Sequence, residues 1–363
     1  MKFSILQQDL LPALQAVSRC VNPHASLPVL ANIYLSAQGQ EIRLAATNLE
    51  IGIFKTFKAE IIEEGEITVP ARMFLDLISS LPGTKLDFET SQDILLLKSG
   101  KFKAQINGLS ASEFPVIPLP QDHQIDFPSE VFRTSQSILF AAATDEGRPT
   151  LTGILVFTKG DNLNFVATDG FRLAFKEVKL TKTQEFKFLV PRRTFEEVLR
   201  LLDEEEVDNL KVTSSPNQVV FAFSKTILSS RLIEGSFPAW EKIIPTEIKT
   251  RLIINKEELL KALKIASVFA KNEANIINLD LKKEGLIVKS ASRQLGSQEM
   301  EVEGQIEGEE LLVAFNAKFL LDAVSNLPTS QAMLEFSGEL TPCLAKPVGM
   351  EGLQYVVMPM GRS

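Results

Sequence analysis

The chain has 363 residues, 45% of them hydrophobic and 23% charged, with a formal net charge of −8. That is the composition of a folded globular protein, too long for one ordinary core, so two or three domains are expected. The net acidity excludes a protein that coats nucleic acid over its whole surface but leaves room for one basic face.

The first ten residues include Gln7, Gln8 and Asp9, which interrupt the apolar run a secretory signal needs. No stretch is long and apolar enough to span a bilayer, so a cytoplasmic protein without membrane contact is expected. After an opening strand, Leu10, Leu11, Leu14 and Val17 mark one face of a first helix. The alternation over 42–46 predicts a strand. Pro70 predicts the first turn of a second helix that carries Phe74, Leu75, Leu77 and Ile78. The proline-rich stretch 115–128 reads as a connection. Ser129 is then expected to cap a helix carrying Val131, Ile138 and Leu139. A strand follows over 163–167, and Pro191 opens another helix with Phe195, Val198, Leu199 and Leu202. A second proline-rich connection, 238–245, leads to Asn255, which has the form of an N-cap with Glu258 at the third helical position. Leu259, Leu260, Leu263 and Ala266 form the apolar face of the helix it caps.

This order of elements is a repeat. Phe74, Phe195 and Phe319 recur at a spacing of roughly 120 residues. Thr47, Thr168 and Ser292 keep that spacing, as do Pro115, Pro238 and Pro359. The fold class expected is α+β: three tandem copies, 1–120, 121–245 and 246–363, each with two helices and two small antiparallel sheets. Helices can then line one side while sheets pair edge to edge on the other.

Little in the sequence is suited to catalysis. The histidines are His24 and His123, far apart in the chain, so nucleophile–histidine dyads have few candidates. No phosphate loop or zinc signature occurs. Glu204, Glu205 and Glu206 read as a solvated face, Asp169-Gly170 as a turn, and Cys20 and Cys343 as small buried hydrophobes. No catalytic residue, metal or cofactor is expected.

The segments 139–154 (LFAAATDEGRPTLTGI) and 166–174 (VATDGFRLA) resemble the central domain of the bacterial sliding clamps, the beta subunits of DNA polymerase III. LPVLAN at 27–32, VPAR at 69–72 and YVVMPM at 355–360 resemble that family too, so the likeness spans the chain. It implies three DNA-clamp domains per subunit in a head-to-tail dimeric ring that encircles double-stranded DNA without reading sequence. A clamp loader opens such rings, and polymerase and repair proteins dock on them through short linear peptides.

Carried over residue by residue, the peptide pocket comprises Leu151, Thr168, Gly170, Phe171, Arg172, Leu173, Pro238, Lys242, Ile243, Asn316, Phe319, Pro342, Val356, Met358, Pro359 and Met360. Phe171 stands where a histidine is frequent, Lys242 where an arginine is, and the tail ends Gly361-Arg362-Ser363 at the pocket rim. Residues implied to face DNA are His24, Arg72, Arg148, Arg192, Arg193 and Lys318, with Arg200 on a second helix and Lys256, Lys261, Lys264 and Lys271 on or just after a first helix. The implied dimer contact is Ala104 and Ile106 against Val268 and Phe269. Two other readings stay open: a small-molecule enzyme on duplicated αβ domains, and a clamp-like paralogue acting as a scaffold or resistance factor.

Overall fold

The computed structural model describes residues 1–120, 124–181 and 184–361; His123 and the tail residues Arg362 and Ser363 lie outside the described residues. The first repeat runs β1 (Lys2–Leu6), α1 (Gln7–Ser18), β2 (Asn32–Gln38), β3 (Glu41–Thr47), β4 (Ile51–Lys58), β5 (Glu60–Glu63), β6 (Gly65–Pro70), α2 (Ala71–Ser80), β7 (Lys85–Ser91), β8 (Ile94–Ser99) and β9 (Phe102–Asn107). The second runs β10 (Ile125–Pro128), α3 (Ser129–Arg133), β11 (Gly153–Lys159), β12 (Asn162–Thr168), β13 (Arg172–Lys179), β14 (Lys187–Pro191), α4 (Arg192–Glu205), β15 (Asn209–Ser215), β16 (Gln218–Phe223) and β17 (Thr226–Arg231). The third runs β18 (Thr250–Asn255), α5 (Lys256–Ala270), β19 (Ile276–Lys282), β20 (Gly285–Ser292), β21 (Gly296–Val302), β22 (Gly304–Gly308), β23 (Leu311–Asn316), α6 (Ala317–Ser325), β24 (Gln331–Phe336), β25 (Cys343–Pro347) and β26 (Leu353–Val357).

Three details differ from expectation. Pro70 and Pro191 close strands, and the helices begin one residue later at Ala71 and Arg192. A proline there has no N–H to waste and its fixed φ turns the chain into the helix. The helix expected from Ser129 is only five residues long and passes into a 3₁₀ stretch, Thr134–Ala141. Ser129 is its first residue rather than its cap, and its hydroxyl donates to the Val207 carbonyl. Asn255 does cap α5, its Oδ1 accepting from the Glu257 and Glu258 amides at 2.9 and 3.1 Å.

Two small sheets per repeat would make six. Instead the described strands form four antiparallel sheets, because the repeats are joined strand to strand. β17 pairs with β4 and makes one sheet of eight strands; β13 pairs with β26 and makes one of nine. The chain therefore divides into two compact units that cut through the second repeat: Met1–Arg133 with Arg193–Leu232, and Thr134–Arg192 with Ile233–Ser363.

In the first unit, Phe88 stacks on Phe3 at 4.8 Å and meets Phe74 of α2 edge-on at 6.0 Å. Phe132 stacks on Phe195 of α4 at 5.8 Å in the same way. The acidic run at the end of α4 is not a free solvated face. Glu204 receives both guanidinium ends of Arg19 at 2.9 Å, and Glu205 pairs with Lys55 at 2.7 Å and accepts from the Thr226 hydroxyl. In the second unit, Phe315 packs against Phe336, and buried Tyr355 donates to the Ser137 and Asn326 carbonyls at 2.9 and 3.0 Å. Both cysteines are buried.

Candidate functional site

The site lies within the second unit and is built on the turn between β12 and β13. Asp169 Oδ1 accepts from the Phe171 and Arg172 amides at 2.9 and 3.0 Å. The Thr168 hydroxyl donates to the Arg172 carbonyl at 2.6 Å and accepts from the Gly170 amide at 3.1 Å. Gly170 has φ +90°, so a side chain there would be strained, and its Cβ, 2.8 Å from Arg148 Nη1, would also push that guanidinium aside. The turn thrusts Phe171 outward, leaving it 53% exposed, with its ring stacked on Phe319 at 5.8 Å.

Arg172 anchors this turn. Its guanidinium lies over the Phe140 ring at 5.2 Å and the Phe319 ring at 5.0 Å. Its Nε donates to Asp169 Oδ2 at 3.1 Å and its Nη1 pairs with Asp322 of α6. Phe140 lies in the 139–154 segment but was not singled out there as a site residue, and Asp322 carries no motif. The strand joint fixes the opposite wall: the Met358 amide donates to the Phe171 carbonyl at 3.0 Å, and the Met360 amide to Ala314 at 2.8 Å. Asn316 caps α6 by accepting from the Lys318 amide at 3.0 Å, so its polar head is already engaged.

Beneath lies a packed cluster of Leu155, Val166, Leu173, Leu189, Trp240, Leu344 and Val356, against which Phe237 and Ile243 are laid. Leu173 and Val356 are 1% and 0% exposed, so they shape the floor from below and do not form an open wall; Leu151 and Thr168 are buried too. What the surface offers is Phe171, Pro238, Lys242 and Met358, with half-buried Ile243, Phe319, Pro342, Pro359 and Met360. An apolar surface with flexible thioethers and a few cations at its edge suits side-chain capture rather than bond chemistry. Among the described residues, no group of three or more acidic, histidine or cysteine side chains is placed to hold a metal.

Arg148, expected to face DNA, donates from Nη2 to the Asp169 carbonyl at 2.8 Å, so it buttresses the turn of this site. Lys256 turns its ammonium to the Leu327 carbonyl at 2.8 Å. Arg192, the first residue of α4, is half-buried, and Lys261, Lys264, Lys271 and Lys318 are exposed. In the first unit, His24, Arg72 and Arg200 are exposed, and exposed Arg193 donates to the Arg19 carbonyl at 3.4 Å. Arg19, which sequence reasoning passed over, is held by Glu197 at 2.6 Å as well as by Glu204.

Of the residues proposed for the dimer seam, Val268 on α5 is 64% exposed and Phe269 half-buried. Ala104 is half-buried on β9, but Ile106 is 1% exposed. Strand alternation points Ile106 into its own core, so only its backbone is available to a partner.

Three copies of one strand–helix unit, joined through fused antiparallel sheets, define a clamp fold. The profiles of the N-terminal, central and C-terminal domains of the DNA polymerase III beta subunit match residues 1–118, 127–239 and 241–361. The chain is 31% identical to the beta sliding clamp of Synechococcus elongatus and 29% identical to that of Bacillus subtilis, with 99% of each chain covered in both cases. The Bacillus subtilis sliding clamp structure superposes with a TM-score of 0.95 at 27% identity, and that of Pseudomonas aeruginosa bound to griselimycin with 0.95 at 28%, each over 100% of both chains.

The chain belongs to the DNA polymerase III beta subunit family, the sliding clamps. Its function is that of a DNA sliding clamp, a non-catalytic processivity factor. These matches lend no support to a paralogue acting as scaffold or resistance factor.

Proposed function

We propose that two copies of this chain close head to tail into a ring around duplex DNA in the cytoplasm, and that partner proteins dock by short peptides on the surface around Phe171 and Met358. In this reading the repeats 1–120, 121–245 and 246–363 are equivalent, and the basic residues on their helices, Arg72, Arg193 and Lys318 among them, meet phosphates through water. Residence on DNA then comes from topology and needs no base contact.

The observation that carries the ring is the pair of joints inside the chain. The repeat equates β9 with β17 and β26, and β21 with β4 and β13. β17 is paired with β4, and β26 with β13. β9 and β21 remain as sheet edges, and unpaired edges invite strand addition. A third joint of the same kind needs a second chain.

The internal joints also suggest its register. The Ser99–Phe102 hairpin pair corresponds to Phe223–Thr226, which carries Ile106 onto Ser230, the partner of Ile51. The repeat carries Gly296 onto Ile51. Ile106 would then face the partner's Gly296, and Lys103 would face the partner's Glu299, with Lys101 opposite the partner's Glu301. Opposite charges meet along the seam, each pair contributing roughly 0.2–1 kcal/mol.

Light scattering behind size exclusion tests this. The unaltered protein should be a dimer. Lys103→Glu should raise the dissociation constant about tenfold because like charges then meet, and Glu299→Lys added to it should restore the dimer. A monomer at all concentrations, or no rescue by the double exchange, counts against the proposal.

A further inference from the structure

The first unit has a cavity at the place where the repeat puts Trp240 in the second. Trp240 stacks on Phe175 at 5.0 Å and leans on Phe157 at 6.2 Å, on the face of the sheet that holds Leu155, Val166 and Leu173. The turn that precedes this face is copied bond for bond. Thr47 Oγ1 donates to Ile51 O at 2.9 Å and accepts from the Leu49 amide at 3.0 Å; Asn48 Oδ1 accepts from the Glu50 and Ile51 amides at 3.0 and 2.8 Å. The two faces therefore align residue by residue: Tyr34 for Leu155, Ser36 for Phe157, Ala45 for Val166, Gly52 for Leu173 and Phe54 for Phe175. Phe114-Pro115 stands for Phe237-Pro238, which sets Ile117 where Trp240 is.

The exchanges from Phe157, Val166, Leu173 and Trp240 all remove volume, and only Tyr34 adds any. Ile117 cannot fill the space, because it settles onto Gly52, whose missing Cβ would lie 3.1 Å from Ile117 Cγ2. A separate cavity of about 690 Å³ in this unit is lined by α2 together with Val21, Pro23 and Ala31. At the Trp240-equivalent position the remaining cavity is about 350 Å³, lined by Tyr34, Ala45, Phe54, Phe114 and Ile117 among others. That is the low end of ligand-pocket sizes. Tyr34 is tied to Glu66 by a 2.6 Å hydrogen bond and packs on Phe114 at 5.3 Å, which fixes the rim. Val116, 93% exposed, and exposed Leu119 continue the apolar surface beyond the cavity mouth.

We propose that this cavity takes an aromatic side chain, best an indole, from a partner peptide, stacked on Phe54 as Trp240 is stacked on Phe175. The apolar strip of Val116 and Leu119 favours a peptide over a free ring, since a lone ring would leave it uncovered. The site is separate from the surface around Phe171 and does not depend on that surface being the docking site.

The test uses the full-length protein with methyl-labelled isoleucine, valine and leucine, titrated with the blocked tripeptide Gly-Trp-Gly and followed by NMR. Saturable shifts centred on the Ile117, Val116 and Leu119 methyls are expected, with Gly-Leu-Gly binding at least about tenfold more weakly. Ile117→Trp should fill the cavity from within and abolish the shifts at Val116 and Leu119; if that variant fails to fold, Ala45→Phe serves the same purpose. Phe171→Ala should leave them unchanged. Free indole should bind more weakly than the tripeptide. The proposal falls if Gly-Trp-Gly gives no saturable shift at Ile117, if the leucine peptide matches it, or if the filled variants still bind.

Discussion

Replacing Arg172 with alanine should cost the second unit about 3 kcal/mol, and the sum can be traced through its contacts. The guanidinium sits 5.2 and 5.0 Å from the Phe140 and Phe319 centroids, and two such cation–π contacts contribute about 0.5–1 kcal/mol each. Its bond to Asp169 at 3.1 Å joins two well-buried side chains, and charged hydrogen bonds of that kind contribute about 1.5 kcal/mol or more. Asp322 is more open to water, so that pair adds only about 0.5 kcal/mol. Asp169 still accepts from two backbone amides, so its turn should survive and the loss should stop short of unfolding. Urea denaturation of Arg172→Ala and Arg172→Lys measures this. The lysine should recover less than half of the loss, because a point charge cannot lie flat between two rings. A loss below about 1 kcal/mol for alanine, or full recovery with lysine, would refute the stacking argument.

Two further outcomes follow from the same geometry. Met358→Asp combined with Phe171→Ala alters exposed or rim side chains while leaving the backbone bond between the two residues in place. It should weaken a polymerase-tail peptide at least about a hundredfold by fluorescence anisotropy, with the dimer intact by light scattering; unchanged affinity would move docking elsewhere. Burial pushes the Cys20 thiol up to about 12, so its folded pKa lies above its unfolded one. Its contribution to stability is therefore full below about pH 8.5 and declines as the pH rises toward 12. At pH 8 iodoacetamide should leave Cys20 unmodified in the native protein and label it after unfolding, by mass spectrometry; rapid native labelling would contradict its burial.

Much of the architecture was legible because a repeat carries its own control. Phe74 and Phe195 keep their spacing since each is the buried fourth residue of its helix, whereas in α6 that place falls to Leu320 and Phe319, one residue earlier, turns to Phe171; Asn255 and Asp169-Gly170 act through neighbours one to three residues away. What stayed hidden depends on contacts between distant residues. The fusion of small sheets rests on the β17–β4 and β13–β26 registers, and no local pattern encodes a register between segments so far apart. The Arg172 cage draws Phe140 and Asp322 from two other elements, and Glu204 and Glu205 find Arg19 and Lys55 only once the chain is folded. The burial of Ile106 likewise depends on what β9 packs against, which its own residues do not state.

Encirclement is tested most directly by salt. With the protein loaded on nicked circular DNA by a clamp loader and ATP, retention through gel filtration should persist across a salt rise that strips ordinary phosphate binders. It should vanish when the circle is cut and the ends are free. Equal salt sensitivity on circular and linear DNA would mean that contact energy, and not a closed ring, holds the protein in place.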